Sequence, residues 1–500
     1  MPFEAPDIQL AGIAPEIALC AAALFLLVFD AFVGDRWDKL HLPIISTLGL
    51  VTALFFSIVV WRDVTAAGPS LQFAGMIAVD GFATFAKIAL IVFGLLSLWL
   101  GHEYLRREKL DEPEFYALTL FAIVGMMLMA SSADLIMMFI ALETFSLALY
   151  VLVGFRRRVL ASQEGAMKYF LLGSFSSAFF LLGIALAYGA TGSTNLYGVP
   201  GSGNDAGLAQ AIASSSPGDL TLLVLASGFL IVGLGFKVAA VPFHMWTPDA
   251  YQGAPSPVTG FMAAGSKLAG FAAALRLLDV SLFSLRADWR PLVIGIAVAT
   301  MLLGSIFAVV QEDVKRILAY SSIAHAGFLL TGIVAANDKG ISGSLFYLAT
   351  YGLTVIGAFA LVAIVGGAGE RRTRLVDYKG LFYERPLLAG ALSLFLLSLA
   401  GVPLTSGFVG KLVVFGAAIE AGYTGLVVIG MVASAIAAFF YLRIMVVMYM
   451  EDRDTVAPRI EIGRTAGTVV ALTALATLVF GLAWSPLIEA AQRATIFFAN

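Results

Sequence analysis

Apolar residues fill long stretches of this sequence, and polar residues gather in the short segments between them. Each stretch approaches the roughly 20 residues that an α-helix needs to cross a bilayer. The pattern predicts about fourteen spans, at 12–33, 42–61, 80–101, 115–131, 134–155, 165–190, 220–252, 258–278, 291–310, 317–335, 341–366, 386–421, 424–450 and 466–487. We therefore expect an all-α, polytopic integral membrane fold.

Composition agrees with this interpretation. The chain of 500 residues is 60% hydrophobic and only 13% charged, far from the balance of soluble domains. The single cysteine, Cys20, excludes a disulfide framework and a cysteine-ligated cluster, and we expect no metal site. No basic patch with interleaved aromatics suggests a nucleic-acid partner. Glu4 and Asp7 precede the first span without a basic residue, so we expect a retained helix there.

Basic residues distinguish the two faces of the predicted bundle. Eighteen lie in one set of alternate loops, and five lie in the opposite set, which includes both termini. Cytoplasmic loops are enriched in Lys and Arg. The bias predicts a multi-pass protein of a bacterial inner membrane with both termini on the periplasmic side. The five residues on that side are Arg62, Arg286, Arg290, Lys339 and Arg493.

Four charged residues fall near the middle of predicted spans: Glu143, Lys237, Lys267 and Lys411. A central charge costs roughly 2.5–3.5 kcal/mol on insertion scales, so these side chains must face protein or water. Lysine can bind and lose a proton when buried, whereas arginine stays charged. A proton relay is the favoured interpretation. Static ion pairs that hold helices together remain the alternative.

Other basic residues lie nearer the ends of spans. For Lys168, Arg276 and Arg443 we expect side chains that extend to the interface. Lys87, about two turns from the start of its span, is compatible with either role.

Two predicted spans, 220–252 and 386–421, are too long for one straight crossing, and each contains a break. Pro242 interrupts the first just after Lys237, because proline lacks a backbone donor and its ring crowds the preceding turn. Pro403, Gly407 and Gly410 are predicted to interrupt the second before Lys411. Irregular backbone at membrane depth lines hydrated cavities or is buried in protein, so both lysines are placed on a hydrated path.

Counting spans from the charge-derived topology gives two five-helix blocks of opposite orientation, with the broken helix fourth in each. The predicted units are helices 1–3 (1–110), helices 4–8 (115–280), helices 9–13 (290–450) and helix 14 (460–500). His325 lies on the span that matches the one carrying Glu143, and a histidine could connect the two blocks. An interior histidine with an ordinary hydrogen bond is the alternative.

Two further residues are given structural roles. Asp249 is expected near the exit of the broken seventh helix. Ser256 followed by Pro257 is typical of a helix N-cap and first-turn proline.

At these residues the sequence resembles the antiporter-like membrane subunits of respiratory complex I (NADH:quinone oxidoreductase), and among them type N. The resemblance covers most of residues 115–420. The matching segments are LETFSLALYVLVGF, EGAMKYFLLGSFSSAFFLLG, GSTNL, GLGFKVAAVPFHMWTPDAYQGAPSPVTGFMAAGSKLAGF, RILAYSSIAHAGF, DYKGL and GVPLTSGFVGKL. Types L and M share several of these features. Type L usually continues into a long lateral helix, and type M usually has a carboxylate where Lys411 stands.

The resemblance implies roles for the charged residues. Glu143 would be the fifth-helix carboxylate paired with Lys237, Lys267 would connect the half-channels through His325, and Lys411 would belong to the second. It also implies that this chain carries no redox cofactor, with NADH, FMN, iron–sulfur clusters and quinone on partner subunits. The implied partners are other membrane-arm subunits, including antiporter-like subunit M and small helical subunits, together with lipids.

Three other functions remain open at this point. A sodium/proton antiporter subunit would have similar half-channels. A structural membrane subunit would use its buried charges only to hold helices together. A quinone-processing enzyme would work alone, although the absence of a nucleotide motif or cysteine cluster argues against it.

Overall fold

In a computed structural model, which describes residues 9–34, 39–198, 207–214, 217–452, 460–494 and 496, the chain is almost entirely helical. Glu4, Asp7, Arg36, Arg453 and Arg459, which contributed to the charge pattern, lie outside these residues. The α-helices are α1 Ala14–Val33, α2 His41–Ala67, α3 Gly81–Glu108, α4 Pro113–Ser131, α5 Leu135–Val153, α6 Leu160–Thr191, α7 Leu208–Ala213, α8 Pro217–Lys237, α9 Thr247–Gly253, α10 Ser256–Arg276, α11 Arg286–Val309, α12 Val314–Ala335, α13 Asp338–Gly366, α14 Leu381–Glu384, α15 Pro386–Ala400, α16 Ser406–Glu420, α17 Thr424–Met450, α18 Arg464–Leu482 and α19 Ser485–Arg493.

Within the described residues, 13 helices are long and apolar enough to cross a membrane. The predicted twelfth span is divided between α15 and α16, and each part is shorter than a full crossing. Together they complete the fourteen predicted crossings. The all-α, multi-pass prediction is therefore confirmed. Both strands of a small antiparallel hairpin, Ser70–Gln72 and Ile77–Val79, lie between α2 and α3 and were not predicted.

Helices α10, α12 and α13 form the centre of the bundle. The most apolar stretch of α10 is wholly buried, and those of α12 and α13 are 94% buried. Small residues let these helices approach closely, as where Gly260 of α10 lies against Ile356 and Phe359 of α13. By contrast, α1, α2 and α18 expose many Leu, Ile and Phe side chains, as expected of helices at a lipid boundary. Lys267 and His325 therefore lie on the most enclosed helices.

The first helix break falls where the sequence predicted it. Helix α8 ends at Lys237, and α9 begins ten residues later at Thr247. Pro242 lies between them and has no backbone N–H to donate. The freed backbone finds side-chain partners instead, since the Val241 amide donates to Thr300 Oγ1 at 2.9 Å. The break is thus held in place by α11.

The second break is shorter than predicted. Helix α15 ends at Ala400, Gly401 adopts φ +88°, and α16 begins at Ser406. Pro403 lies in the break, as expected. Gly407 and Gly410 do not interrupt the helix, because both lie inside α16. Gly410 instead allows the ring of Tyr347 to pack against the α16 backbone.

The N-terminus of α10 also differs from expectation. Ser256 is the first residue of the helix rather than its cap. Its backbone N–H donates to Glu370 Oε1 at 2.8 Å. A carboxylate from a distant loop therefore caps this helix, where the helix dipole favours a negative charge.

Candidate functional site

The five residues predicted for the site are distributed along the interior of the bundle. Helix α5 carries Glu143, α8 ends at Lys237, α10 carries Lys267, α12 carries His325 and α16 carries Lys411. All except Glu143 are buried, and Glu143 is half-buried. The two helix breaks position Lys237 and Lys411, whereas Lys267 and His325 lie on unbroken central helices.

Glu143 and Lys237 do not form an ion pair in this structure. Glu143 instead accepts a hydrogen bond from the Ser177 hydroxyl of α6. Since no ion pair within the described residues includes Glu143 or Lys237, the pairing implied by the resemblance is open here. The carboxylate therefore has a neutral partner that can hold it away from the lysine.

Lys237 lies among aromatic rings. Its Nζ atom is 4.8, 5.5 and 5.3 Å from the ring centres of Phe145, Tyr150 and Tyr169. It also donates to the Tyr169 hydroxyl at 3.4 Å. The negative faces of aromatic rings attract a cation without supplying a fixed counter-charge. This pocket can hold an ammonium group in a dry site.

Lys267 contacts the next helix directly. Its Nζ atom donates to the backbone carbonyl and the hydroxyl of Ser322 on α12, the second at 2.8 Å. The hydroxyl of Tyr251 in α9 lies 3.4 Å from the hydroxyl oxygen of Ser322. The ring centre of Tyr351 lies 5.1 Å from Nζ. All of these partners are neutral.

His325 has a hydroxyl partner on each ring nitrogen. Nδ1 and the Tyr347 hydroxyl of α13 are 2.7 Å apart, and Nε2 lies 3.4 Å from the Tyr441 hydroxyl of α17. Tyr441 is also hydrogen bonded to Ser321. Both nitrogens of an imidazole can exchange protons, so this arrangement can pass a proton through the ring. Sequence reasoning identified the histidine and missed both tyrosines.

Lys411 is hydrogen bonded to the C-terminal end of α15. Its Nζ atom donates to the carbonyls of Leu399 and Ala400 at 3.1 and 2.9 Å and to Ser434 Oγ at 3.2 Å. The ring centre of Phe328 is 4.6 Å away. These carbonyls are free because the helix stops at Ala400. The break therefore supplies the acceptors that hold the amine.

Other buried charges form close ion pairs. Arg276 is fully buried and makes two contacts with Asp80, at 2.8 and 3.0 Å, and one with the Tyr197 hydroxyl at 2.7 Å. The expectation that Arg276 extends to the interface is wrong, because Asp80, which caps the N-terminus of α3, supplies its counter-charge inside the bundle. Lys87 pairs with Glu16 of α1 at 2.7 Å.

Lys168 and Arg443, the other two basic residues predicted near the ends of spans, lie nearer the surface. Lys168 is partly exposed and contacts Asp249 at 2.7 Å. Arg316 contacts the same carboxylate at 2.7 Å, so Asp249 joins α6, α9 and α12, in agreement with a structural role. Arg443 donates to the Val309 carbonyl at 3.0 Å.

Glu370, which sequence reasoning missed, is the centre of a buried cluster at the end of the bundle with the basic loops. Its Oε2 atom lies 2.9 Å from Arg156 and 3.0 Å from Lys315, and its Oε1 atom caps α10. Burial acts to raise the pKa of Glu370, but Lys315 and Arg156 hold that pKa below its ordinary value. The cluster joins the α5–α6 loop, α10 and α12. Among the described residues, no group of His, Cys, Asp and Glu side chains is arranged to hold a metal ion.

Comparisons with known proteins agree with this architecture. The family model described as NADH:quinone oxidoreductase/Mrp antiporter, transmembrane, matches residues 132–437. A protein of Trichlorobacter lovleyi named NADH-quinone oxidoreductase subunit N is 40% identical over 487 residues, which covers 97% of each chain. A chain of the solved respiratory complex I from Thermus thermophilus is 34% identical, with a TM-score of 0.80 over 96% of this chain and all of that one.

A more distant structure has the same fold. A chain of the Mrp complex from Dietzia sp. is 21% identical and superposes with a TM-score of 0.82, over 97% of this chain and 96% of that one. The full-length similarity and the family match together establish the relationship. The chain belongs to the NADH:quinone oxidoreductase/Mrp antiporter membrane family, among the NADH-quinone oxidoreductase N subunits.

Proposed function

We propose that this chain is a proton-translocating membrane-arm subunit of an NADH:quinone oxidoreductase. The observation that supports it best is a contrast between two kinds of buried cation. Arg276 and Lys87 have carboxylate partners at hydrogen-bond distance. Among the described residues, the hydrogen-bond and ring partners of Lys237, Lys267 and Lys411 are all hydroxyls, carbonyls and aromatic rings, with no carboxylate at hydrogen-bond distance.

This contrast argues against a purely structural role for the three lysines. A buried cation that holds helices together needs a counter-charge, because desolvation costs several kcal/mol per ion. A group that must gain and lose a proton needs neighbours that tolerate both states. Hydroxyl groups and carbonyls meet that requirement. The contrast between the two classes of site thus supports the proposed relay.

The proposed sequence of events begins at Glu143. Movement of its carboxylate from Ser177 towards Lys237 favours the protonated amine, and the reverse movement releases the proton. The proton then passes through Lys267 and His325 to Lys411 and leaves on the outer side. Moving one charge against about 100 mV requires roughly 2.3 kcal/mol, which is comparable with remaking one buried ion pair.

The remaining features of the proposal follow the resemblance to the membrane subunits of complex I. Electron transfer from NADH to quinone takes place on other subunits, which hold FMN and the iron–sulfur clusters. The neighbours are other membrane-arm subunits, including an antiporter-like M subunit, in a bacterial inner membrane with both termini outside. Residues 115–280 and 290–450 act as two inverted units. The equivalent positions of the two helix breaks support this division.

Replacement of Lys237 by Met tests the proposal directly. We expect K237M to leave the complex assembled and to reduce NADH-driven proton uptake by inside-out membrane vesicles to background, because methionine fills similar space but carries no proton. Uptake is followed with a pH-sensitive dye, and NADH oxidation is measured in the same vesicles. The second readout separates proton transfer from electron transfer.

Lys87→Met is the matched control. Both lysines are buried, but K87M leaves Glu16 as an unpaired buried charge, so we expect reduced assembly. K87M complexes that do assemble should pump normally. Normal proton uptake by assembled K237M would refute the proposal. Sodium-dependent uptake in the wild type would favour the antiporter alternative instead.

A further inference from the structure

A groove runs along the surface of the bundle between α2 and α18, and α3, which packs against both, forms its floor. Two cavities lie in it. The first, of about 500 Å³, is at the end with the basic loops and is lined by residues that include Leu48, Trp99, Arg464 and Thr468. The second, of about 600 Å³, lies further towards the outer end. We infer that this groove binds one anionic phospholipid, with its head group at Arg464.

The two cavities lie end to end along α3 and α18. On α18, residues 465 and 468 line the first cavity, and residues 472, 476 and 480 line the second. These residues lie on one helix face, at spacings of three and four. On α3, Trp99 and His102 line the first cavity, and residues between 85 and 96 line the second. On these two helices, successive lining residues are therefore about one turn apart across the boundary between the cavities.

The dimensions fit a lipid of one leaflet. Half of a hydrocarbon core of about 30 Å is about 15 Å, or roughly ten residues of helix at 1.5 Å per residue. An acyl chain that starts beside Thr465 therefore reaches about as far as residue 475, into the second cavity. The walls there are almost wholly apolar, with Ile58, Val92 and Leu472 among the lining residues.

Charge identifies the head group as anionic. The guanidinium of Arg464 is exposed at the mouth of the first cavity and has no polar partner within the described residues. The neighbouring carboxylate of Glu103 is occupied, because the backbone amides of Thr465 and Ala466 donate to it at 3.0 and 3.1 Å. Trp99 is of the residue type that concentrates at the level of lipid head groups. A neutral helix of a partner protein would leave Arg464 without a counter-charge.

Site-specific photo-crosslinking of the intact complex tests this inference. The probe is phosphatidylglycerol with a photoreactive group on its acyl chain, incorporated into phosphatidylcholine nanodiscs that contain the whole complex. We expect cross-links to peptides of α2 and α18 that line the groove. The labelling in R464Q should be roughly fivefold weaker at equal probe concentration, because one basic residue near the surface is lost. R464K should retain most of it.

Two further variants make the test specific. Arg374→Gln removes an exposed cation of the same face that pairs with Glu312 outside the groove, and it should leave labelling unchanged. Thr468→Trp should block the first cavity and abolish labelling even with Arg464 present. Equal labelling in R464Q and wild type, or equal labelling by a phosphatidylcholine probe, would overturn the inference. So would a photoreactive residue at position 468 that cross-links to a partner protein rather than to lipid.

Discussion

His325 lies between two tyrosine hydroxyls, and we propose that these contacts let it act as a relay for protons. We expect Tyr347→Phe to slow NADH-driven proton uptake by roughly two- to tenfold, because one hydrogen bond worth about 0.5–1.5 kcal/mol is lost at Nδ1. The measurement is the initial rate of proton uptake in vesicles with equal amounts of assembled complex.

The matched control for this change is Tyr378→Phe. Tyr378 is also buried, but its hydroxyl makes no hydrogen bond in this structure. Y378F should therefore pump like the wild type. Equal rates in Y347F and Y378F would exclude a role for the Tyr347 hydroxyl in the relay.

Gly401 ends α15 in the left-handed region, and a Cβ atom there would lie 3.0 Å from Lys411 Cδ. We expect Gly401→Ala to displace Lys411 from the carbonyls of Leu399 and Ala400 and to reduce proton uptake strongly. Gly422→Ala is the control, because Gly422 has the same φ of +88° but open space around it. Both changes carry the backbone strain of about 1–2 kcal/mol, so only G401A should affect pumping beyond its effect on stability. Comparison of uptake per assembled complex checks this.

At the scale of elements, Glu370 holds the basic end of the bundle together. We expect Glu370→Gln to destabilise the subunit by about 3–5 kcal/mol, because Arg156 and Lys315 would lose their buried counter-charge. Glu312→Gln, which breaks an exposed pair with Arg374, should cost about 0–1 kcal/mol. Thermal unfolding of the purified complexes distinguishes the two. A similar loss in both variants would show that the Glu370 cluster contributes no more than a surface ion pair.

The lowered pKa of Glu370 predicts that the stability of the subunit depends on pH. The pKa of Glu370 is lowered in the folded protein, so its contribution is fully present above the ordinary carboxyl pKa of about 4.3 and is lost as the pH falls through the lowered value. We expect the difference in unfolding temperature between wild type and E370Q to stay constant from about pH 8 to pH 5 and to shrink below about pH 4. A difference that shrinks near neutral pH would contradict the assignment.

Helices and helix breaks could be predicted from the sequence because their causes are local. Apolar runs of bilayer length predicted the crossings, and Pro242 and Pro403 marked both breaks. The residues at which a break begins and ends could not be predicted as well. Gly407 and Gly410 are weak helix formers, yet the packing of α16 against its neighbours keeps both in the helix.

At the scale of the whole molecule, the partners of buried charges could not be predicted. Asp80 and Arg276 are 196 residues apart in the chain, and no local pattern connects them. Glu370 belongs to a loop whose sequence resembles any charged segment between two spans, and only the fold places it at the start of α10. The five predicted site residues were recognisable because each is a polar residue in an apolar helix. Tyr347 and Tyr441 were not, since tyrosine is common in membrane helices.

The hydrogen bonds around Lys267 and those around His325 form two separate groups. Lys267, Ser322 and Tyr251 make one group, and His325 with its two tyrosines makes another. Within the described part of the chain, no hydrogen bond joins the two. A continuous proton wire would let the membrane voltage drive protons back whenever the enzyme is idle. On the proposed proton path, we expect this separation on α12 between Ser321 and Ser322 to limit the return of protons at rest, and a variant that joined the two groups to leak protons rather than pump faster.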